Sequence, residues 1–111
     1  MNTTCHTGAV GEMTVSVFFL QHGLEVFNNV ATRGPVDLIV YNKDNGKMVA
    51  IDVKSHTSVT YRKDGGISPT YTPFWREDGV AIVKYIHGEG AVRLPEGFWE
   101  ALGMEGSDEH S

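Results

Sequence analysis

Apolar residues near the start of the chain recur at the spacing of an amphipathic helix. The recurring positions, at i, i+3, i+7 and i+10, are Val10, Met13, Val17 and Leu20. This period predicts a helix over residues 9–22. Thr7 is a candidate N-cap of that helix and Gly23 a candidate stop, because hydroxyl side chains accept from the free N–H groups at a helix start and glycine tolerates the left-handed backbone that often ends a helix.

Runs rich in β-branched and aromatic residues predict strands in the rest of the chain. Two such runs, residues 36–41 and 48–54, flank the turn-forming residues 42–46 and predict a β-hairpin. Further predicted strands cover residues 24–30, 56–61, 79–86 and 91–94, and a short helix is predicted over residues 95–102. This order indicates an α+β fold built on a mixed or antiparallel β-sheet, with an N-terminal helix and a short C-terminal helix.

Length and composition favour one globular domain. The 111 residues are 41% hydrophobic and 21% charged, and a second domain would lack the apolar surface to fold by itself. We expect the domain to cover residues 1–104, and the acidic residues 105–111, which include Gly and Ser, to form a disordered tail. Cys5 is the only cysteine, so no intrachain disulfide can form.

Hydropathy and charge narrow the range of partners. The chain contains no apolar run near the roughly 20 residues that cross a bilayer and no secretory signal, so we expect a cytoplasmic protein without a membrane partner. The net charge of −5 argues at first against nucleic acid. Residues 1–104 alone carry only −2, with 11 acids and 9 bases, and a bound divalent cation would reduce the repulsion further. The charge therefore permits a DNA partner without predicting one.

Charged residues interrupt both strands of the predicted hairpin. Asp37 lies in its first strand, and Asp52 and Lys54 lie in its second. Because side chains alternate along a strand, Asp52 and Lys54 share a face. A four-residue loop would set Asp37 opposite Asp52 and a two-residue loop would set it opposite Lys54, whereas an odd-length loop without a bulge would turn Asp37 to the other face. Any even-length loop thus gathers two carboxylates and one ammonium near one end of the hairpin.

This trio of side chains indicates a particular chemistry. Carboxylate oxygens at this spacing suit a hard cation such as Mg²⁺. A bound cation lowers the pKa of a water ligand and neutralises charge on a phosphate, and Lys54 would orient the attacking water or stabilise the phosphorane. The alternative interpretation is an ordinary ion pair between Lys54 and one of the aspartates on a solvated sheet face.

The same residues resemble the core motif of the PD-(D/E)XK nucleases. The motif residues, in chain order, are Gly8-x-x-Gly11-Glu12, Gly23-Leu24-Glu25-Val26-Phe27, Pro35-Val36-Asp37-Leu38-Ile39-Val40 and Ile51-Asp52-Val53-Lys54-Ser55. They are similar to small phage and cyanobacterial endonucleases, a group with an intron-encoded homing-endonuclease branch, and more loosely to archaeal-type Holliday-junction resolvases. The likeness covers residues 8–56, and residues 78–94 resemble the later part of the pattern. Pro35 does not directly precede Asp37, so the literal "PD" pair is absent, which is common in the superfamily.

The resemblance implies a restriction-endonuclease-like core of the α/β/α type and a magnesium-dependent active site. Glu12 matches an acidic helix residue that binds metal directly or through water. Asp37 and Asp52 match the two motif carboxylates, and Lys54 matches the catalytic lysine. The main-chain carbonyl of Val53 matches a position where the family often offers a further metal ligand.

Basic and aromatic residues after the motif are candidate DNA contacts. They are His56, Arg62, Lys63, Tyr71 and Arg76, with Tyr61 and Trp75 beside them. Cationic side chains bind backbone phosphates and aromatic rings stack on bases. A plain surface hairpin and a polar surface histidine are the alternative interpretations.

These observations lead to the hypothesis of a metal-dependent endodeoxyribonuclease. Mg²⁺, for which Mn²⁺ could substitute, would activate a water that hydrolyses the phosphodiester to a 5′-phosphate and a 3′-hydroxyl, as the resemblance implies. Cutting duplex or branched DNA on two strands needs two sites, so we expect a homodimer, with the strand at residues 80–86 or the helix around Phe98 and Trp99 as its interface. The substrate stays open between a specific site, a junction and generic DNA. A noncatalytic nucleic-acid-binding or assembly module and a small structural protein are the competing hypotheses.

Overall fold

The computed structural model describes residues 3–31, 34–61 and 63–104. Helix α1 spans Thr3–Gln21, and the strands β1, β2 and β3 that follow it span Glu25–Asn28, Leu38–Asn42 and Lys47–His56. A single turn of 3₁₀ helix at Pro69–Tyr71 precedes β4 at Phe74–Trp75, β5 at Ala81–Ile86, β6 at Ala91–Arg93 and helix α2 at Phe98–Ala101. The predicted tail at residues 105–111 and the predicted DNA contact Arg62 lie outside the described residues.

The six strands form one mixed sheet in the order β1-β2-β3-β5-β4, with β6 also paired to β5. β1, β2 and β3 are an antiparallel meander, and β5 runs parallel to β3. β4 pairs with the beginning of β5 and β6 with its end, both antiparallel. The predicted α+β fold on a mixed sheet with two terminal helices is therefore confirmed.

The β2–β3 hairpin has the even-length loop on which the proposed site depends. Asn42 pairs with Lys47 across a four-residue turn, and Leu38 pairs with Ile51 at the other end. Gly46 has φ +80°, a backbone conformation that glycine adopts without strain. Of the two even-length registers that the sequence allowed, the structure has the one in which Asp37 lies across from Asp52.

Helix α1 packs on one face of the sheet through a different set of residues from the predicted stripe. Val15 and Phe19 are fully buried in the core, and Gly11 lies against β3, where an added Cβ would overlap the side chain of Ser55. The four residues of the predicted stripe are instead 48–69% exposed: Val10, Met13, Val17 and Leu20. Both sides of this helix are apolar, so its period predicted a helix correctly but could not tell which side is buried.

The two predicted dimer interfaces are wrong, because both are part of the core. All six residues of β5 are buried between β3 on one side and β4 and β6 on the other. Helix α2 packs on the same sheet face as α1, with the rings of Phe19 and Phe98 stacked at 5.4 Å and Trp99 only 7% exposed. Neither surface is free to meet a second copy of the chain.

The connection between β3 and β5 differs from the predicted strand at residues 56–61. β3 ends at His56, and residues 57–60 have no strand pairing. A bridge between Tyr61 and Ile67 then closes a turn in which the Asp64 carboxylate accepts from the N–H of Gly66 at 2.8 Å. In the described part of this connection, the 3₁₀ turn is the only helical element. The two α-helices of the described chain, α1 and α2, therefore both lie on one face of the sheet. In the described ranges, no helix is long and apolar enough to span a membrane.

Candidate active site

The candidate site lies at a step in the sheet, where β3 extends beyond the first residue of β2 and has no strand beside it on that side. Residues 52–56 of β3 extend beyond the last pair with β2, while on their other side they pair with β5. Asp37 lies at this step in the sheet, directly before β2. Its N–H donates to the carbonyl of Ile51 at 2.8 Å, and its carbonyl accepts from the N–H of Asn29 at 3.0 Å. Both bonds hold the Asp37 backbone between β1 and β3.

The Asp37 side chain takes the place of the missing strand partner. Its Oδ2 accepts from the N–H of Val53 at 2.8 Å. Because the N–H and C=O of one strand residue point toward the same neighbouring strand, the Val53 carbonyl also faces this step. The structure thus puts the Asp37 carboxylate and the Val53 carbonyl, two oxygens that the resemblance gives as metal ligands, at one edge.

Asp52 is in contact with charges of both signs. Its carboxyl group lies within hydrogen-bonding reach of Asp37, its Oδ2 is 3.5 Å from Lys54 Nζ, and the same oxygen is 3.7 Å from Arg76 Nη1. Burial raises the pKa of Asp52 and the contact with Asp37 raises it further, while Lys54 offsets part of this rise. Two neighbouring carboxyl groups favour a shared proton or a shared cation over two free negative charges.

Glu12 faces the same step from helix α1. It lines a pocket of about 220 Å³ together with Asn29, Ala31 and Asp37. Burial raises the pKa of Glu12, and the negative charges of Asp37 and Asp52 add to the rise. The close approach of α1 to β3 at Gly11 sets the height of Glu12 above the sheet.

The donor atoms suit a hard divalent cation, although the three carboxylates do not form one ready-made ligand set. Across the described ranges, no three His, Cys, Asp or Glu side chains lie close enough together to hold a metal ion as they stand. In the described ranges, Glu12, Asp37 and Asp52 therefore do not converge into the single ligand set that was expected. The two aspartates interact with each other, and Glu12 interacts with both through its charge. A cation at Asp37 and Asp52 would remove their mutual repulsion, and the longer reach to Glu12 suits binding through water, which Mg²⁺ often retains.

Arg76 lies at the site rather than on a free loop. Its guanidinium is 27% exposed and forms an ion pair with Asp78, and its Nη1 donates to the carbonyl of Pro35 at 3.2 Å. These contacts hold it beside Asp52. The sequence suggested Arg76 as a DNA contact, and the structure places it where its positive charge screens the Asp52 carboxylate.

The other predicted DNA contacts do not form one surface. The His56 ring packs edge-on against Tyr71 at 5.0 Å, and its Nε2 is fully buried without a hydrogen-bond partner. Lys63 is exposed in the turn after Tyr61. Trp75 belongs to the core edge, where its ring stacks on Phe98 at 6.2 Å and its indole N–H donates to the carbonyl of Glu96.

Two residues at the site were missed by the sequence argument. Asn29 lines the pocket with Glu12, and its side chain donates to the carbonyl of Val36 at 2.8 Å. Lys84 interrupts the apolar strand β5 just as Asp52 interrupts β3, so the same signal could have found it. Asn29 gave no signal, because an asparagine between two strands is typical of a turn.

Comparisons with protein-family models, with curated proteins and with solved structures give no significant match.

Proposed function

We propose that this protein is a metal-dependent endodeoxyribonuclease. The observation that carries the proposal is the contact between the Asp37 and Asp52 carboxyl groups at the step in the sheet, with Lys54 Nζ 3.5 Å from Asp52. An ordinary ion pair would need one carboxylate for one ammonium. Here a second carboxylate is held beside the first by a backbone hydrogen bond, and two adjacent carboxyl groups favour a shared proton or a shared cation even with Lys54 and Arg76 beside Asp52.

In this proposal the chain's own groups divide the work of phosphodiester hydrolysis. Asp37, Asp52 and the Val53 carbonyl would hold Mg²⁺, with Glu12 acting through water; the ion supplies a water of lowered pKa and neutralises phosphate charge. Lys54, 55% exposed, can reach a phosphate oxygen and donate to it. The water oxygen bonds to phosphorus and gives one proton to solvent, the bond from phosphorus to the 3′-oxygen breaks, and that oxygen takes a proton from solvent to leave as the 3′-hydroxyl.

A cleavage assay tests the activity. The chain is incubated with supercoiled plasmid, linear duplex and four-way-junction DNA in Mg²⁺, in Mn²⁺ and in EDTA. We expect nicking or cutting with either metal, none in EDTA, and a loss of at least about 1,000-fold in Asp52→Asn and Lys54→Met, since each removes several kcal/mol of transition-state stabilisation. Lys43→Met, in the exposed turn at the far end of the hairpin, is the matched control and should cut normally.

Two results would reject the nuclease. DNA binding without cleavage in every metal would identify a noncatalytic nucleic-acid-binding module, and equal cleavage by wild type and Asp52→Asn would indicate a contaminating enzyme. Absence of DNA affinity at low salt would leave an ion-paired structural protein.

The exposed side of α1 is the surface on which we propose that a second copy binds. Val10, Met13, Val17 and Leu20 form an apolar stripe about 15 Å long, and Glu12 is the only Asp, Glu, Lys or Arg in the 19 residues of the helix. A chain with net charge −5 repels a second copy over much of its surface, whereas the four residues of this stripe are uncharged and Glu12 lies at its border. A dimer formed here would hold two sites, one on each copy, as cutting both strands requires.

Sedimentation velocity tests the dimer. We expect a concentration-dependent dimer for the wild-type chain and a monomer for Val17→Glu, because a buried unpaired carboxylate opposes association. Thr14→Glu, on a neighbouring half-buried position of the same helix, is the control for general effects on α1. A wild-type monomer at all concentrations would refute the dimer and leave a single-strand nicking enzyme.

A further inference from the structure

The sheet face that points away from α1 carries a second lysine beside Lys54. β3 and β5 run parallel, and Lys54 pairs with Lys84 in their register. Paired residues of neighbouring strands point to the same face, and such strands are about 4.8 Å apart. The two ammonium groups therefore extend side by side from the face that also carries Asp52.

Lys84 is a lysine whose side chain is largely buried in the sheet. The residue is 7% exposed, and no hydrogen bond or ion pair with a described residue engages its ammonium. The fully enclosed polar side-chain atoms without a partner in the described chain are Ser55 Oγ and His56 Nε2. A lysine in such a position buries its aliphatic stem and extends its ammonium toward water.

The surroundings of Lys84 favour an anion. Burial lowers its pKa and the nearby charge of Lys54 lowers it further, while Asp52 raises it. Asp52 is already engaged by Lys54 at 3.5 Å and by Arg76 at 3.7 Å. An oxyanion lying between the two lysines would accept hydrogen bonds from both and remove their repulsion.

His56 forms one wall of the space beside the two lysines. It follows Asp52 and Lys54 on the same face of β3, and its ring is held against Tyr71. Burial lowers the pKa of His56 and the charge of Lys84 lowers it further, which disfavours a third positive charge on this face. Its Nε2 is enclosed and does not compete with the two lysines for a ligand.

We propose that Lys54 and Lys84 form a phosphate-binding subsite beside the Asp37–Asp52 pair, where they hold a backbone phosphate of nucleic acid. The identity of the nucleic-acid ligand rests on the proposed function, whereas phosphate binding itself requires only the two lysines. A free phosphate offers the same oxygens, so the experiment has one arm for each source.

The first arm measures binding of a fluorescent DNA duplex in EDTA over a series of salt concentrations. We expect Lys84→Met to bind roughly tenfold more weakly than wild type, because one charge-assisted contact is lost. The slope of log affinity against log salt should also fall by about 0.9, the value for one phosphate contact. Lys43→Met, which loses an exposed lysine of equal charge, should match wild type within twofold apart from a small general charge effect.

The second arm measures melting temperature with and without inorganic phosphate. We expect phosphate to raise the melting temperature of wild type and of Lys43→Met but not that of Lys84→Met. Without phosphate, Lys84→Met should melt no lower than wild type, because a methionine stem replaces a buried lysine stem. Lys84→Gln serves as a second neutral variant if the methionine protein does not fold.

The outcomes separate this subsite from the nuclease. Equal affinities and equal salt slopes in wild type and Lys84→Met overturn the subsite, even if the chain cuts DNA. Lys84-dependent duplex binding without cleavage in Mg²⁺ supports the subsite and rejects the nuclease. A phosphate response that depends on Lys84, with no duplex binding, supports an anion subsite for small phosphates and overturns its assignment to nucleic acid.

Discussion

The two ends of the β2–β3 hairpin each hold polar side chains that are largely removed from water, but they satisfy them differently. At the turn end, Asn42 is 8% exposed. Its side-chain N–H donates to the carbonyl of Leu102 at 2.8 Å, and its Oδ1 accepts from the N–H of Asp44 at 3.1 Å. Both polar atoms of this side chain thus have a hydrogen-bond partner in the folded chain.

At the opposite end of the hairpin, which we call the open end, the same strands bring Asp37 and Asp52 together. One Asp37 oxygen is satisfied by the N–H of Val53, and Asp52 has Lys54 and Arg76 beside it. The contact between the two carboxyl groups nevertheless raises the pKa of Asp52, as burial does. A neutral amide at one end is structural, whereas paired acids at the other end favour a bound cation. Satisfied polar groups stabilise a fold, and incompletely satisfied ones mark a site of function.

The largest expected effect separates the structural from the chemical role of Asp37. Asp37→Asn keeps an oxygen that accepts from the N–H of Val53, so it should fold like wild type while losing cleavage by about 1,000-fold or more. Asp37→Ala should lose cleavage equally and also unfold about 1–3 kcal/mol more easily, because the N–H of Val53 loses its partner. Plasmid cleavage and urea unfolding of both variants measure the two effects. Retained cleavage in Asp37→Asn would show that the open end of the hairpin needs no bound cation.

An intermediate effect is expected at the turn end. Asn42→Ala should lower the free energy of unfolding by about 1–2 kcal/mol, because the N–H of Asp44 loses its acceptor and the carbonyl of Leu102 keeps only Asn45. Cleavage should be unchanged at temperatures where the variant is folded. Urea unfolding and the plasmid assay check this. A loss of cleavage in the folded variant would mean that the two ends are coupled and would invalidate the comparison.

The smallest expected effect is the pH dependence of stability without metal. Folding raises the pKa values of Asp52 and Glu12, so the folded chain binds protons more tightly than the unfolded chain. The stability that these groups contribute is present at acidic pH and falls as pH rises through their raised pKa values. The stability of Asp52→Asn should therefore increase relative to that of wild type as pH rises from 4 to 7. Melting temperatures of both proteins, measured in EDTA over this pH range, check the expectation. In Mg²⁺ the wild type should gain instead, because metal binding needs the deprotonated carboxylates.

Much of the fold was predictable because local signals agreed with tertiary structure. The turn residues 42–46 and their flanking apolar runs predicted the hairpin, and the structure confirms it with a four-residue loop. The stripe on α1 was less informative. Val15 and Phe19 are as apolar as Val17 and Leu20, and only packing against the sheet decides which pair is buried. The predicted strand at residues 56–61 was wrong because β5 pairs with β3 only as far as His56.

The sequence by itself determined which residues share a face of a strand, because side chains alternate at every residue along it. That rule placed Asp52 with Lys54, and it put Asp37 on the same face only if the hairpin loop had an even length. Only the tertiary structure decided the register and brought Glu12, Arg76 and Lys84 within electrostatic reach of Asp52. These residues come from a helix and from strands far along the chain, and their proximity depends on how close α1 approaches β3 and on how β5 aligns beside it. Local patterns carry no information on such distances, since they are set by packing between elements.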